Sequence, residues 1–109
     1  MPDLDTVDPE RLQANAGEAA RLLRALANER RLAILCRLSG GELSVGELHK
    51  HVGLSQSALS QHLARLRDDD LVATRKEGQA VFYRIADPAA VRVIERLVEI
   101  FCPVEGPRP

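Results

Sequence analysis

The chain of 109 residues has the size of a single domain, and 45% hydrophobic residues with only 3% aromatic ones are typical of an aliphatic, helical core. We find no run of apolar residues long enough to cross a bilayer and no signal peptide, which favours a cytoplasmic protein without membrane contacts. The net charge of −1 does not exclude a nucleic-acid partner, because residues 21–38 carry five arginines against one glutamate and can form a local basic face.

The first predicted helix follows an acidic segment, residues 1–7, which we expect to be mobile. This helix begins with Asp8 as N-cap and Pro9 at the first helical position. A stripe of Leu and Ala side chains continues to Leu26 and covers about a third of the circumference. We therefore expect one continuous helix with an apolar face.

A second helix is predicted between Asn28, its N-cap, and the pair Gly40-Gly41, where it ends. Cys36 lies at the edge of the apolar face of this helix. A thiol in that position can pack against the core and still be reached by a small reagent.

The segment from Leu43 to Asp68 predicts two short helices joined by a tight turn. Ser44 and Glu47 have the spacing of a capping box at the start of the first helix, and Ser55 is suited to cap the second. Gly53 is placed to adopt the left-handed conformation that ends the first helix. This arrangement is typical of a helix-turn-helix that reads DNA.

The second of these helices has an apolar side and a side of small, uncharged polar residues near its start. Short hydroxyls and amides can approach base edges in the major groove, and glutamine can pair with adenine. We predict that the base contacts come from Gln56, Ser57, Ser60 and Gln61. The alternative is an ordinary solvated helix face, although such faces are usually richer in Glu, Lys and Arg.

Two strands, Leu71–Lys76 and Ala80–Ile85, are predicted from their β-branched and aromatic residues, with Glu77-Gly78-Gln79 as the loop of a hairpin. A solvated edge hairpin without a ligand is one interpretation of this segment. In the other, positive charge on the hairpin lies along DNA phosphates, and the residues that supply it are Arg75, Lys76 and Arg84.

The last predicted helix runs from Asp87-Pro88 to about Cys102, and residues 104–109 form a short tail after a domain of residues 8–103. Apolar residues cover about half of its circumference, which is more than one small domain can bury. We therefore expect a homodimer formed through the first and last helices.

The elements together predict a mainly α fold with a small β-hairpin (α+β), a winged helix-turn-helix. This chain resembles the ArsR/SmtB family of bacterial winged-helix repressors across residues 18–102. The segments that carry the resemblance are L-x-x-x-R-R-L-A-I-L from Leu26, E-L-S-V-G-E-L from Glu42, L-S-Q-S-A-L-S-Q-H-L from Leu54 and F-Y-R-I from Phe82. The resemblance implies a homodimeric repressor that binds double-stranded operator DNA with an inverted repeat.

Neither metal binding nor catalysis is favoured by the sequence. Ser44 and Gly46 stand where many metal-sensing members of the family have two cysteines, and the last helix lacks the histidines of the other familiar zinc site. The three histidines, His49, His51 and His62, do not have the spacing of a ligand set. We expect no metal, no cofactor and no enzyme activity, with metal sensing as an alternative.

The cysteines Cys36, in I-L-C-R-L, and Cys102, in I-F-C-P, resemble the thiol pair of the persulfide-sensing branch of the family, the BigR/SqrR type. The resemblance implies that reactive sulfur species link the two thiols through a disulfide or a chain of sulfurs, and that DNA is then released. Neighbouring arginines favour a Cys36 thiolate, so we expect Cys36 to be the first nucleophile. Cys102, near the unfavourable end of a helix dipole, would be the resolving thiol.

Three other interpretations stay open. The same fold could respond to peroxide or another thiol oxidant, since both reagents act on a reactive thiolate. The two cysteines could simply pack, because cysteine is among the most buried residue types. The chain could also be a protein-interaction module that has lost its affinity for DNA.

Overall fold

The computed structural model describes residues 8–101. The expected mobile segment 1–7, Cys102 and the tail 104–109 lie outside the described residues. In chain order the elements are α1 (Pro9–Ala14), α2 (Ala16–Leu26), α3 (Glu29–Leu38), β1 (Leu43–Ser44), α4 (Val45–Val52), α5 (Gln56–Asp68), β2 (Val72–Glu77), β3 (Ala80–Ile85) and α6 (Pro88–Phe101). The predicted winged helix-turn-helix, mainly α with a small β-sheet, is confirmed.

Local capping signals set the ends of the central helices as predicted. The Asn28 side chain accepts hydrogen bonds from the backbone N–H groups of Arg30 and Arg31, both at 3.0 Å, and starts α3. Ser44 and Glu47 form both hydrogen bonds of the capping box at the start of α4. These bonds satisfy backbone N–H groups that have no partner within the helix.

The expected single N-terminal helix is instead two helices, because the chain bends at Asn15. The Asn15 backbone has φ −97° and ψ 4°, and its N–H donates to the carbonyl oxygens of Arg11 and Leu12. Asn15 and the nearby Gly17 are poor helix formers. The short helix α1 has no buried residue, so packing does not hold it in line with α2.

The sheet has three strands in the order β1-β3-β2, one more than the predicted hairpin. The added strand is β1, whose residues Leu43 and Ser44 pair with Tyr83 and Phe82 of β3. The hairpin turn is the two-residue pair Gly78-Gln79. Because α4 begins directly after β1, the pairing ties the hairpin to the helix-turn-helix.

The core is aliphatic and joins every helix from α2 onward. Its fully buried large side chains are Ile34, Leu35, Leu48, Leu59, Leu63, Leu66 and Ile94. Three of these leucines belong to α5, so that helix has one well-packed side and one side toward solvent. Within residues 8–101 no helix is both long enough and apolar enough to span a bilayer.

Candidate nucleic-acid interface and cysteine cleft

Helix α5 presents the predicted base-reading residues together. Gln56, Ser57, Ser60 and Gln61 are all exposed. Ser57, Ser60 and Gln61 lie on the side away from the leucines that pack into the core, whereas Gln56, the first residue of α5, lines a cleft between α4 and the hairpin. The Ser55 hydroxyl caps the helix by accepting from the Ala58 N–H at 3.1 Å. The start of α5 is therefore fixed locally, and short polar side chains project from it as a major-groove contact requires.

The three basic residues of the hairpin do not share one face. Residues that pair directly across antiparallel strands lie on the same face, and faces alternate along each strand. Arg75 pairs with Phe82, whereas Lys76 pairs with Val81. Arg75 and Arg84 therefore lie on one face and Lys76 on the other.

The Arg75 guanidinium contacts two carboxylates and an aromatic ring of the same chain. Its guanidinium lies 2.7 Å from Glu42 and 2.6 Å from Glu77, with its central carbon 4.5 Å from the centre of the Phe82 ring. The hydrogen bonds from Arg75 hold the pKa of Glu42 below its ordinary value. The two carboxylates in turn raise the pKa of Arg75. Among the described residues, neither Lys76 nor Arg84 forms a comparable ion pair.

Sequence reasoning did not single out Glu42. This residue is 33 positions from Arg75 in the chain, and the two meet only because β1 joins the sheet. A two-residue strand has no periodicity that a sequence could reveal. No local signal could therefore have identified this pair.

Cys36 lies at the edge of the core, as its position on the apolar face of α3 predicts. The residue is half-buried and packs against the core cluster. A cleft of about 430 Å³ beside it is lined by residues of α3, the segment that follows it, α4 and α6, namely Ala33, Cys36, Arg37, Ser39, His51, Val52 and Val98. Among these described residues, only Arg37 and His51 are ionisable besides the thiol. Arg37 and Cys36 thus line one cleft.

A set of large apolar side chains stays exposed on the first and last helices. The exposed fractions are 61% for Leu12, 57% for Leu23, 66% for Ile100 and 74% for Phe101. They belong to α1, α2 and α6.

The described histidines do not converge. His49 and His51 are exposed and His62 is half-buried. In the part of the chain that the structure describes, no three His, Cys, Asp or Glu side chains are close enough together to hold a metal ion.

A helix-turn-helix with a polar exposed α5, followed by a β-hairpin wing, defines a winged-helix DNA-binding regulator of transcription. Residues 28–74 match the family model described as "Bacterial regulatory protein, arsR family". The chain is 54% identical over 93 residues to the transcriptional activator HlyU of Vibrio cholerae serotype O1, covering 85% of this chain and 86% of that protein. The chain belongs to the arsR family of bacterial regulatory proteins.

Solved structures agree with this assignment. Reduced HlyU from Vibrio cholerae superposes with a TM-score of 0.81 over 85% of this chain and 98% of that one, at 54% identity. The transcriptional repressor BigR from Xylella fastidiosa gives 0.83 at 38% identity, over 88% and 98% of the two chains. A homodimeric winged helix-turn-helix domain from Mycobacterium bovis gives 0.70 at 33% identity, over 87% and 88%. Because the family consists of DNA-binding regulators, the expectation that the chain is not an enzyme is confirmed.

Proposed function

We propose that this protein is a transcriptional repressor that binds an inverted-repeat operator as a homodimer and releases it when reactive sulfur species link Cys36 to Cys102. The observation that carries the proposal is the cleft beside Cys36, which places this half-buried thiol next to Arg37. Val98 of α6 lines the same cleft and precedes Cys102 by four residues in the sequence. The reactive thiol and the helix that leads to its partner thus share one surface.

In this proposal the exposed face of α5 reads bases, through Gln56, Ser57, Ser60 and Gln61. Cations of the wing contact phosphates, which sets register and adds affinity without reading sequence. Lys76 and Arg84 are exposed and suited to this role. Arg75 was predicted to share this role, but its guanidinium is already paired with Glu42 and Glu77.

The homodimer would cover the exposed side chains of α1, α2 and α6. Large apolar patches on small proteins commonly mark an interface. One structural relative is described as a homodimer. Two recognition helices must lie about 34 Å apart to read two half-sites on one face of DNA, and a symmetric dimer provides this spacing.

The sulfur chemistry balances without another oxidant. The Cys36 thiolate attacks the outer sulfur of a persulfide R–S–SH, the S–S bond breaks, and R–SH leaves. The Cys102 thiolate then attacks the Cys36 sulfur, so that a disulfide forms and H₂S leaves. Two protein thiols are oxidised and one sulfane sulfur is reduced. If a second persulfide reacts, one sulfur stays in the link and the products are a trisulfide, H₂S and two R–SH.

The link would act on DNA binding through the helices it joins. Cys36 is on α3, in contact with the core that holds α5, and Cys102 follows the last described residue of α6. Joining the two thiols would shift α6 against α3 and change the distance between the recognition helices of the dimer. A coupling of about 1–3 kcal/mol corresponds to a 5- to 150-fold loss of affinity.

Repression is the direction of regulation that we propose, in line with the relative described as the repressor BigR. HlyU is described as an activator. A DNA-binding dimer can activate indirectly when it displaces another regulator, so the thiol switch does not depend on the direction. Transcription in vitro from a promoter that contains the selected operator, with and without the protein, measures the direction.

The experiment that tests the switch measures DNA binding before and after glutathione persulfide. The probe is a duplex that the reduced protein selects from a randomised library, and intact mass is recorded for every sample. Cys36→Ser and Cys102→Ser are the matched variants. We expect the wild type to lose affinity and gain a Cys36–Cys102 link, while both variants stay bound.

Equal binding by all three proteins throughout would make the cysteines packing residues. Hydrogen peroxide serves as the comparison oxidant. A linked product that is heavier by whole sulfur atoms, formed only with persulfide, supports the sulfur switch. A plain disulfide formed faster with peroxide would instead favour a peroxide sensor. If the reduced protein shows no salt-dependent binding to any duplex, the regulator proposal fails.

A further inference from the structure

The wing sheet carries an ionic cluster on the face that points away from the core. We name it the Arg75 cluster; it consists of Arg75, Glu42, Glu77 and Phe82. The opposite face packs inward through Val72, Tyr83 and Ile85. The Arg75 cluster therefore has no role in the core, and neither base reading nor the thiol switch uses it.

The Arg75 side chain crosses the whole sheet. It begins on β2, its guanidinium lies over the Phe82 ring of the central strand β3, and it reaches Glu42 immediately before β1. Neighbouring strands are about 4.8 Å apart, so the contact spans two strand separations. Nε and Nη2 of Arg75 both donate to Oε1 of Glu42, at 3.1 and 2.7 Å, and Nε also donates to Oε2 at 3.3 Å. A forked contact of this kind fixes direction as well as distance.

The charges of the cluster disfavour a phosphate contact by Arg75. Its positive charge is offset by two carboxylates, Glu42 and Glu77. A phosphate that bound the Arg75 guanidinium would have to displace Glu42. It would then be repelled by the nearby negative charges of both carboxylates. Lys76 and Arg84 carry no such ion pair among the described residues.

We propose that Arg75 is a positioning residue, which through Glu42 locks the wing to the strand that leads into the helix-turn-helix. Glu42 is two residues before Ser44, the N-cap of α4, so the link joins the wing to the segment that sets the direction of α4. The link fixes the wing relative to α5, and the phosphate contacts of the wing then fall in register with the base contacts. This inference rests on the proposed DNA binding.

Two substitutions of the carboxylates separate a positioning role from a phosphate contact. Glu42→Gln weakens the link across the sheet, because an uncharged amide oxygen replaces the carboxylate that accepts from Arg75. Glu77→Gln makes the same change at the other carboxylate on this guanidinium and leaves the contact with Glu42 intact. Removal of a negative charge near DNA by itself raises affinity. We expect Glu42→Gln to lower affinity for the selected duplex about two- to fivefold, the range of an exposed ion pair. We expect Glu77→Gln to leave affinity unchanged or to raise it.

The salt dependence of binding gives an independent measurement. Loss of one phosphate contact reduces the slope of log affinity against log salt by about 1. We expect Lys76→Gln to reduce the slope in this way, and Arg75→Gln to lower affinity with the slope unchanged. Circular dichroism at the assay temperature confirms that every variant is folded, so a loss of stability alone does not enter the affinities.

Several results would overturn the inference. Glu42→Gln could bind the duplex as tightly as the wild type or more tightly, or Glu77→Gln could lose as much affinity as Glu42→Gln. Arg75→Gln could reduce the slope of log affinity against log salt. Each of these results would mean that Arg75 contacts phosphates or has no role in binding. Hydrogen exchange of the DNA-free protein tests the link separately: Glu42→Gln should speed exchange of the β1 and β3 amides, and Glu77→Gln should not. If the wild type does not bind DNA, the proposed function is wrong. The hydrogen-exchange measurement still tests the link between Arg75 and Glu42, because it does not require DNA.

Discussion

Among single residues, Gln61 offers the sharpest test of base reading. It is exposed on α5, between Leu59 and Leu63, which are buried and fix the rotation of the helix. A glutamine held in this way can donate and accept at the edge of one adenine. Its role depends on the direction of the side chain, which the packing of its neighbours sets.

Substitution Gln61→Ala should weaken binding to the selected duplex by about 1–3 kcal/mol and relax the preference at one base pair. The measurement is competition between duplexes that differ at single positions. Gln13→Ala makes the same change on exposed α1 and should leave both affinity and preference as in the wild type. An unchanged preference in Gln61→Ala would remove this residue from the base-reading set.

Arg75 and Lys76 show that adjacent residues of like charge can have different surroundings. Alternation along β2 turns them to opposite faces of the sheet. The face of Arg75 also carries Glu42 and Phe82, whereas Lys76 is beside Val81. The β-branched and aromatic residues of the hairpin correctly predicted that both lie on the wing. The contacts that distinguish them come from residues outside β2, which the sequence of β2 does not reveal.

Helix ends were the features that the sequence predicted best, because a cap acts within four residues. Asn28, Ser44, Gly53 and Ser55 all have the conformation or hydrogen bond that was expected. The edge position of Cys36 also followed, from helical periodicity. These signals are local, so they can be recognised without knowledge of the fold.

The features that the sequence did not predict depend on distant partners or weak preferences. Strand β1 exists only because β3 pairs with it, and the contact between Arg75 and Glu42 depends on that pairing. The bend at Asn15 reflects a modest difference in helix propensity at a place with no buried neighbour. The contacts of Cys102 and of the bases and phosphates remain predictions.

The capping box of α4 should make stability depend on pH. The hydrogen bond from the Ser44 backbone N–H, together with the one involving its side chain, holds the pKa of Glu47 below the ordinary value of 4.5. A carboxyl with a lowered pKa binds fewer protons in the folded chain than in the unfolded one. Its contribution is therefore complete above pH 4.5 and is lost as the pH falls through that value and then through the folded-state pKa.

Thermal unfolding of the wild type should show this loss as the pH is lowered through 4.5 and below. Glutamine can replace glutamate in a capping box but does not titrate there. Glu47→Gln should therefore give a melting temperature that falls less over the same range. Glu18→Gln, on exposed α2, measures the general effect of one fewer negative charge. A pH dependence in Glu47→Gln as steep as in the wild type would show that the capping box is not its source.

At the scale of the whole molecule, the first and last helices are suited to form the interface of the expected homodimer. Leu12, Leu23, Ile100 and Phe101 leave more than half of their surface exposed in the single chain. Burial of a large aliphatic or aromatic side chain contributes about 1.5–3 kcal/mol, so four of them on each of two chains are enough to drive association. We expect the interface on α1, α2 and α6, which do not contribute the predicted base contacts.

Substitution of Leu23 or Ile100 by glutamate should therefore dissociate the homodimer without unfolding the chain, because both side chains are exposed before association. Sedimentation velocity across a concentration series measures the assembly, and thermal unfolding checks the fold. Gln79→Glu adds the same charge at the wing turn, away from these helices, and should sediment as the wild type does. Because one chain reaches only one half-site, the dissociated variants should bind a duplex with both half-sites no better than a duplex with one. Variants that remain dimeric would place the interface on another surface, and the thiol switch would then need a different route to the recognition helices.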